Sequence, residues 1–91
     1  MKNKQILSAL SLDLKRTALG LHNGSIIMAE KFKNEALKRK AETDLKSLKP
    51  YMQEILNKTE KSLNSPYLNS EKDNLLMYSI LIQNYTLLLD R

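Results

Sequence analysis

The sequence feature that most constrains the fold is a run of uncharged residues, "NLLMYSILIQNYTLLL", at positions 74–89. On a helix, the apolar side chains of this run wrap most of the circumference, and a helix of that kind is buried in a core or in a membrane. The run is too short for a membrane span, which needs about 20 apolar residues. We therefore expect no membrane segment. The remaining polar residues form a thin strip: Ser79, Gln83, Thr86 and Asp90.

Three further helices are predicted from apolar residues that recur every three or four positions. They cover about residues 3–20, 25–46 and 48–64. Two glycines and two prolines among 91 residues are too few for an all-β fold with many tight turns. We expect an all-α protein, an antiparallel four-helix bundle that forms a single helical domain over residues 1–91.

Capping residues predict where the last two helices begin. Ser47 is placed to cap the third helix, with Pro50 in its first turn, where a missing N–H costs little. Ser70 and Asp73 have the spacing of a capping box at the start of the fourth helix.

The stretch "ALGLHNGSIIMAEKF", residues 18–32, predicts a turn between the first two helices. It contains both glycines, Gly20 and Gly24, and glycine tolerates the left-handed conformation that ends a helix. The alternative is three helices with a long kinked first helix over residues 3–46, because leucines keep a seven-residue spacing through the glycines. We favour the turn, since two interior glycines would cost a helix roughly 1 kcal/mol each.

The only histidine, His22, does not predict a catalytic or metal site. The chain has no cysteine and no second histidine, so a zinc site would need carboxylates from elsewhere. A phosphate-binding loop needs a strand before its glycines and a lysine after them, and neither is present. We expect a histidine near a helix end, no catalytic residue, no metal and no cofactor, and therefore a protein that is not an enzyme.

Positive charge is concentrated in residues 1–50, which carry a net charge of +6, whereas residues 51–91 carry −1. One interpretation is a nucleic-acid-binding accessory protein that uses the second helix. Acidic residues interleaved at helical spacing favour a solvated surface instead, so nucleic acid is a partner that we do not favour. The candidate nucleic-acid contacts are Lys31, Lys38, Arg39, Lys40 and Lys46.

Self-association is the function that the sequence favours. A chain of this length cannot cover a helix that is apolar nearly all round, and two further leucines lie opposite the apolar stripe of the first helix. We expect a small self-associating protein-interaction or regulatory module, a homodimer or a complex with another protein, in the cytoplasm. The predicted interface residues are Leu12, Leu19, Tyr78, Ile82, Tyr85 and Leu89.

Overall fold

The computed structural model describes residues 2–89 and contains four α-helices in that range. Short 3₁₀ turns at Leu45–Ser47 and Leu68–Glu71 precede the last two helices, and the described residues contain no strand. The predicted all-α bundle of four helices is confirmed, and the alternative with one helix over 3–46 is wrong. The helices are α1 (Lys2–His22), α2 (Ile26–Glu42), α3 (Pro50–Leu63) and α4 (Lys72–Leu88).

The turn between α1 and α2 is built from backbone hydrogen bonds that only this glycine pattern allows. Gly24 has a φ of +70°, which is the left-handed region. The N–H of Ser25 donates to the carbonyl of Gly20 at 2.8 Å, and the N–H of Gly24 donates to that of Leu21 at 3.2 Å. This pair of bonds is a Schellman motif and ends α1. The hydroxyl of Ser25 accepts from the N–H of Met28 and caps α2.

Gly20 also sets how closely the end of α1 passes the start of α2. A Cβ at this position would lie 2.9 Å from the backbone nitrogen of Ala29 and 3.2 Å from its Cα. Because those atoms belong to the backbone of a buried residue, they cannot move aside as a flexible side chain would. The two helices therefore meet here without an intervening side chain.

α1 is the central helix, since it packs along α2 on one side and along α4 on another. Both neighbours run antiparallel to it. On the α2 side, Gly20 lies beside Ala29 and Asp13 lies beside Arg39. On the α4 side, the Nε2 atom of His22 at the end of α1 lies 3.7 Å from Asp73 in the first turn of α4.

α3 packs against α4 and is joined to it by a buried tyrosine. The hydroxyl of Tyr85 accepts a hydrogen bond from the backbone N–H of Lys49, which caps α3, at 3.1 Å. Its ring meets that of Tyr51 edge to face, with centroids 5.7 Å apart. Tyr85 thus satisfies a donor at the end of one helix while it fills the core with its ring.

The core is made of leucines from all four helices together with a few smaller or longer apolar residues. The apolar stripe predicted for the first helix is buried at Leu7, Leu10, Leu14 and Ala18. The buried cluster also contains Ala36, Leu48, Met52, Leu56, Leu63, Leu75, Ile82 and Tyr85.

Two predicted N-caps are wrong, because the hydroxyl groups bond within the 3₁₀ turns instead. Ser47 donates to the carbonyl of Asp44, and α3 is preceded by Lys49 without a side-chain cap. Ser70 donates to the carbonyl of Tyr67, so it does not form a capping box with Asp73.

The second helix is also shorter than predicted. It ends at Glu42 because Thr43 adopts an extended backbone, with its hydroxyl donating to the carbonyl of Arg39 at 2.9 Å. The following residues then form the 3₁₀ turn that leads into α3.

A buried carboxylate lies between α1 and α2. The Oδ2 atom of Asp13 is 3.7 Å from Nε of Arg39, and neither atom forms a hydrogen bond with any described residue. Burial raises the pKa of the Asp13 carboxyl above its ordinary value, while the Arg39 guanidinium acts in the opposite direction. Arg39 is less buried than Asp13 and also lies 3.7 Å from Glu42. The ion pair is therefore weakly formed. Asp13 is the member of the pair that loses more of its contact with water on folding.

We expect Asp13→Asn to be tolerated and to change how stability depends on pH. A raised pKa means that Asp13 contributes most to stability below its unfolded pKa and that this contribution is lost as pH rises through the folded value. The variant should therefore be at least as stable as the unmodified chain at pH 7, and this advantage should disappear on acidification to about pH 3, below the reference Asp pKa. Urea unfolding at both pH values measures this, with Glu42→Gln as a control at the exposed partner. A loss of about 3 kcal/mol at pH 7, the cost of breaking a strong buried pair, would contradict it.

We expect Gly20→Ala to destabilise the fold by about 1–3 kcal/mol, as overpacking does in other cores. The new Cβ would clash with the Ala29 backbone and push α1 and α2 apart. The matched control is Ser8→Ala, which adds alanine to an exposed position of the same helix. Thermal unfolding measures both, and equal melting temperatures for the two variants would show that the close approach is not required.

Candidate interaction surface

α4 buries Ser79 and Thr86 together with part of its apolar residues and exposes the other large apolar residues. Ser79 and Thr86, which the sequence placed in a polar strip, are buried beside Leu75 and Ile82. The Ser79 hydroxyl donates to the backbone carbonyl of Ser11 in α1 at 2.9 Å. The Thr86 hydroxyl donates to a carbonyl of its own helix. Both hydroxyls are satisfied, so burying them costs little.

The opposite side of α4, which we call the outer face, is apolar and exposed. Its side chains are between 36% and 62% exposed, and no charged residue lies between positions 74 and 89. Gln83 and Asn84 are the polar residues among them. The outer face consists of Leu76, Met77, Ile80, Leu81, Leu87 and Leu88.

Two leucines of α1 extend this apolar surface. Leu12 and Leu19 are 45% and 50% exposed, and they lie two helical turns apart on one side of α1. Leu12 lines a surface groove between α1 and α4 together with Leu87, and Lys4 and Lys15 of α1 line the same groove. We call the outer face of α4 with Leu12 and Leu19 the apolar patch. Contiguous exposed apolar surface of this kind is typical of interaction sites.

The other predicted interface residues do not lie on the patch. Ile82 and Tyr85 are buried in the core of their own chain, and Tyr78 and Leu89 are partly buried against that core. The correction has a physical cause: Ser79, a member of the polar strip, packs against α1 and bonds to its backbone, so the side of α4 with Ile82 faces the core. Asp90, the last member of that strip, lies outside the described residues.

The helical wheel did contain the signal for the true outer face. The patch lies opposite Leu75, Ser79, Ile82 and Thr86, which recur every three or four residues as an inward stripe does. The sequence did not show which side of α4 packs into the core. The side with leucine, serine, isoleucine and threonine is buried, and the side with leucine, methionine and isoleucine is exposed.

Two of the basic residues proposed to contact nucleic acid are engaged by carboxylates. The Nζ atom of Lys40 forms a hydrogen bond of 3.1 Å with Glu60, and its side chain is 14% exposed. Arg39 is held between Asp13 and Glu42. Each of these two groups therefore lies within 3.7 Å of a carboxylate.

The other three basic residues lie on α2 and in the turn that follows it. Lys31 and Lys38 are two helical turns apart on one side of α2. Lys31 lies over the ring of Phe32, and Lys38 lies 3.7 Å from Glu35. Lys46 lies outside α2, in the 3₁₀ turn. Part of this basic charge is paired with carboxylates, and nucleic-acid binding stays an untested alternative.

The remaining candidate, His22, lies at the end of α1 and close to Asp73, as expected for a histidine at a helix terminus. Both side chains are exposed. Within residues 2–89, no three metal-ligating side chains are grouped so that they could hold an ion. No helix in the same range has both the length and the apolar character needed to cross a bilayer.

The apolar patch thus contains eight of the twelve large apolar side chains that are exposed among the described residues. In comparisons with known proteins, the chain matches no family model, no curated protein and no solved structure.

Proposed function

We propose that this chain is a non-enzymatic helical-bundle module that self-associates as a homodimer through the apolar patch. The observation that carries the proposal is the composition of α4, which buries Ser79 and Thr86 beside three apolar residues and leaves six large apolar side chains exposed on its outer face. Such a helix leaves apolar surface in water unless a second surface covers it. Covering the exposed half of one leucine contributes about 1 kcal/mol.

A second copy of the chain fits the patch better than a charged partner does. The outer face of α4 has no charge, so two copies brought face to face do not repel each other there, although the chain carries a net charge of +5. The same absence of charge gives an acidic or basic partner nothing to pair with. In a two-fold dimer a surface meets itself, and an apolar surface is complementary to its own copy.

The role that follows is that of a protein-interaction or regulatory subunit, which we expect to act in the cytoplasm. Dimerisation would leave the charged sides of α2 and α3 exposed for further contacts. The proposed activity of the chain is association through the apolar patch.

We expect Ile80→Lys to convert the dimer to a monomer without unfolding it. Ile80 is exposed on the outer face within one chain, so a lysine there is solvated in the monomer but buried and unpaired in the dimer. The affinity should fall by about a hundredfold or more, equivalent to about 3 kcal/mol. Sedimentation over a range of concentrations measures the mass, and circular dichroism checks the fold.

Matched controls separate the patch from general effects of the substitution. Ile27→Lys makes the same change at an exposed residue of α2, outside the patch, and should stay dimeric. Ile82→Lys places the charge in the core and should unfold the chain. A monomeric mass for the unmodified protein at high micromolar concentration would overturn the proposal, and a stable complex with a different protein at the patch would replace it.

We expect no tight binding of duplex DNA at moderate salt, since part of the basic charge of α2 is paired with carboxylates. Any weak binding should fall steeply as salt is added. A fluorescence-anisotropy titration measures this, with the triple variant of Lys38, Arg39 and Lys40 to alanine as comparison. Tight binding that the triple variant abolishes would favour the nucleic-acid alternative instead.

A further inference from the structure

The outer face of α4 has the spacing of a coiled-coil seam. Met77, Ile80, Asn84 and Leu87 follow one another at intervals of three, four and three residues, which is the alternation of the two core positions of a heptad. All four are exposed, and they lie along the middle of the outer face. A second α4 helix could therefore insert its side chains between them along about one and a half heptads.

Asn84 is the polar member of this seam. It occupies the same heptad position as Met77, and its side chain forms no hydrogen bond with the described residues. In a dimer that covers the seam, this amide becomes buried. A buried amide without a partner costs about 1–3 kcal/mol, so the arrangement of the two copies must give it one.

The two orientations of the helix pair treat Asn84 differently. With parallel helices in register, Asn84 lies opposite the partner's Asn84, and each side-chain amide can donate to the carbonyl oxygen of the other. With antiparallel helices centred on the seam, Asn84 lies opposite the partner's Ile80, which has no polar atom. The amide is satisfied across the seam in the parallel pair alone.

We propose that the two copies associate through parallel, in-register α4 helices, and that Asn84 sets this orientation. The inference rests on the proposed homodimer and adds its geometry. A single asparagine at such a position is a known device that lowers stability and fixes register and orientation. Each bundle then lies on the outside of the helix pair, with the charged surfaces of the two copies kept apart.

The neighbouring leucines support an interface of this width. Leu76 and Gln83 flank the seam on the side of α1, and Leu81 and Leu88 flank it on the other side. In a parallel pair, residues of one flank meet the opposite flank of the partner. The flank next to α1 therefore meets the partner's Leu81 and the partner's Leu88, and Leu12 extends that contact.

Cysteine crosslinking tests the orientation directly, because the chain has no cysteine of its own. Met77→Cys and Leu87→Cys are made as separate variants and oxidised at a concentration where the protein is dimeric. In the parallel pair each cysteine lies opposite its own copy, so each variant alone forms a disulfide-linked dimer. The rate should exceed that of the control Ile27→Cys by about tenfold or more, because the local thiol concentration within a dimer is of millimolar order.

An antiparallel pair gives a different crosslinking pattern, which would overturn the inferred orientation but not the proposed homodimer. Position 77 then lies opposite the partner's Leu87, so neither variant crosslinks faster than the control, while an equal mixture of the two crosslinks rapidly. That result together with a dimeric mass would leave the proposed function standing. A monomeric mass would remove both.

The role of Asn84 has its own readout. Asn84→Leu in each cysteine variant should tighten association while admitting the antiparallel pair, so that the mixture of Met77→Cys and Leu87→Cys chains now crosslinks as well. If the Asn84→Leu dimer still crosslinks only through like positions, the orientation is set by other residues and the assignment to Asn84 is wrong.

Discussion

The contact between α1 and α4 decides which surfaces this protein presents. Where the two helices meet, the Ser79 hydroxyl reaches a backbone carbonyl of α1, and this requires a small side chain on the inner side of α4. Leucine or isoleucine at that position would hold the helices apart. Because the inner side is committed to serine and threonine as well as leucine and isoleucine, the rest of the apolar residues in α4 must face outward. The exposed patch is therefore a consequence of close helix packing rather than an independent feature.

A small residue also allows close helix contact on the other side of α1. Gly20 lets α2 approach at backbone distance, and the Schellman turn that begins there directs the chain back along α1. The central helix is thus approached closely by both neighbours, at a glycine on one side and at a serine on the other. A short chain gains from this, since a small domain buries a lower share of its surface than a large one and close packing raises the contacts made per residue.

The sequence predicted the number of helices, the turn at Gly24 and the buried stripe of α1, because each depends on local periodicity and on backbone conformation. Helix starts were predicted less well, since Ser47 and Ser70 have local carbonyls available that compete with helix capping. The interface was the least predictable part. Leu12 and Leu19 were placed on the surface correctly, but Ile82 and Tyr85 were not, because the orientation of a helix that is apolar all round depends on its neighbours. That information lies in contacts between segments far apart in the chain, such as the one between Ser11 and Ser79.

A dimer through α4 would also add a second apolar contact to the small core of each chain. In one chain, α4 contributes to the core with half of its circumference, and its other half is exposed. If a second copy covers the outer face, α4 becomes the middle layer between two hydrophobic cores, one within the chain and one between the chains. Folding and association are then linked, because a partner that binds only the folded chain stabilises it in proportion to the logarithm of its concentration. An uncharged α4 would suit that position, because its composition is that of a helix buried on both sides.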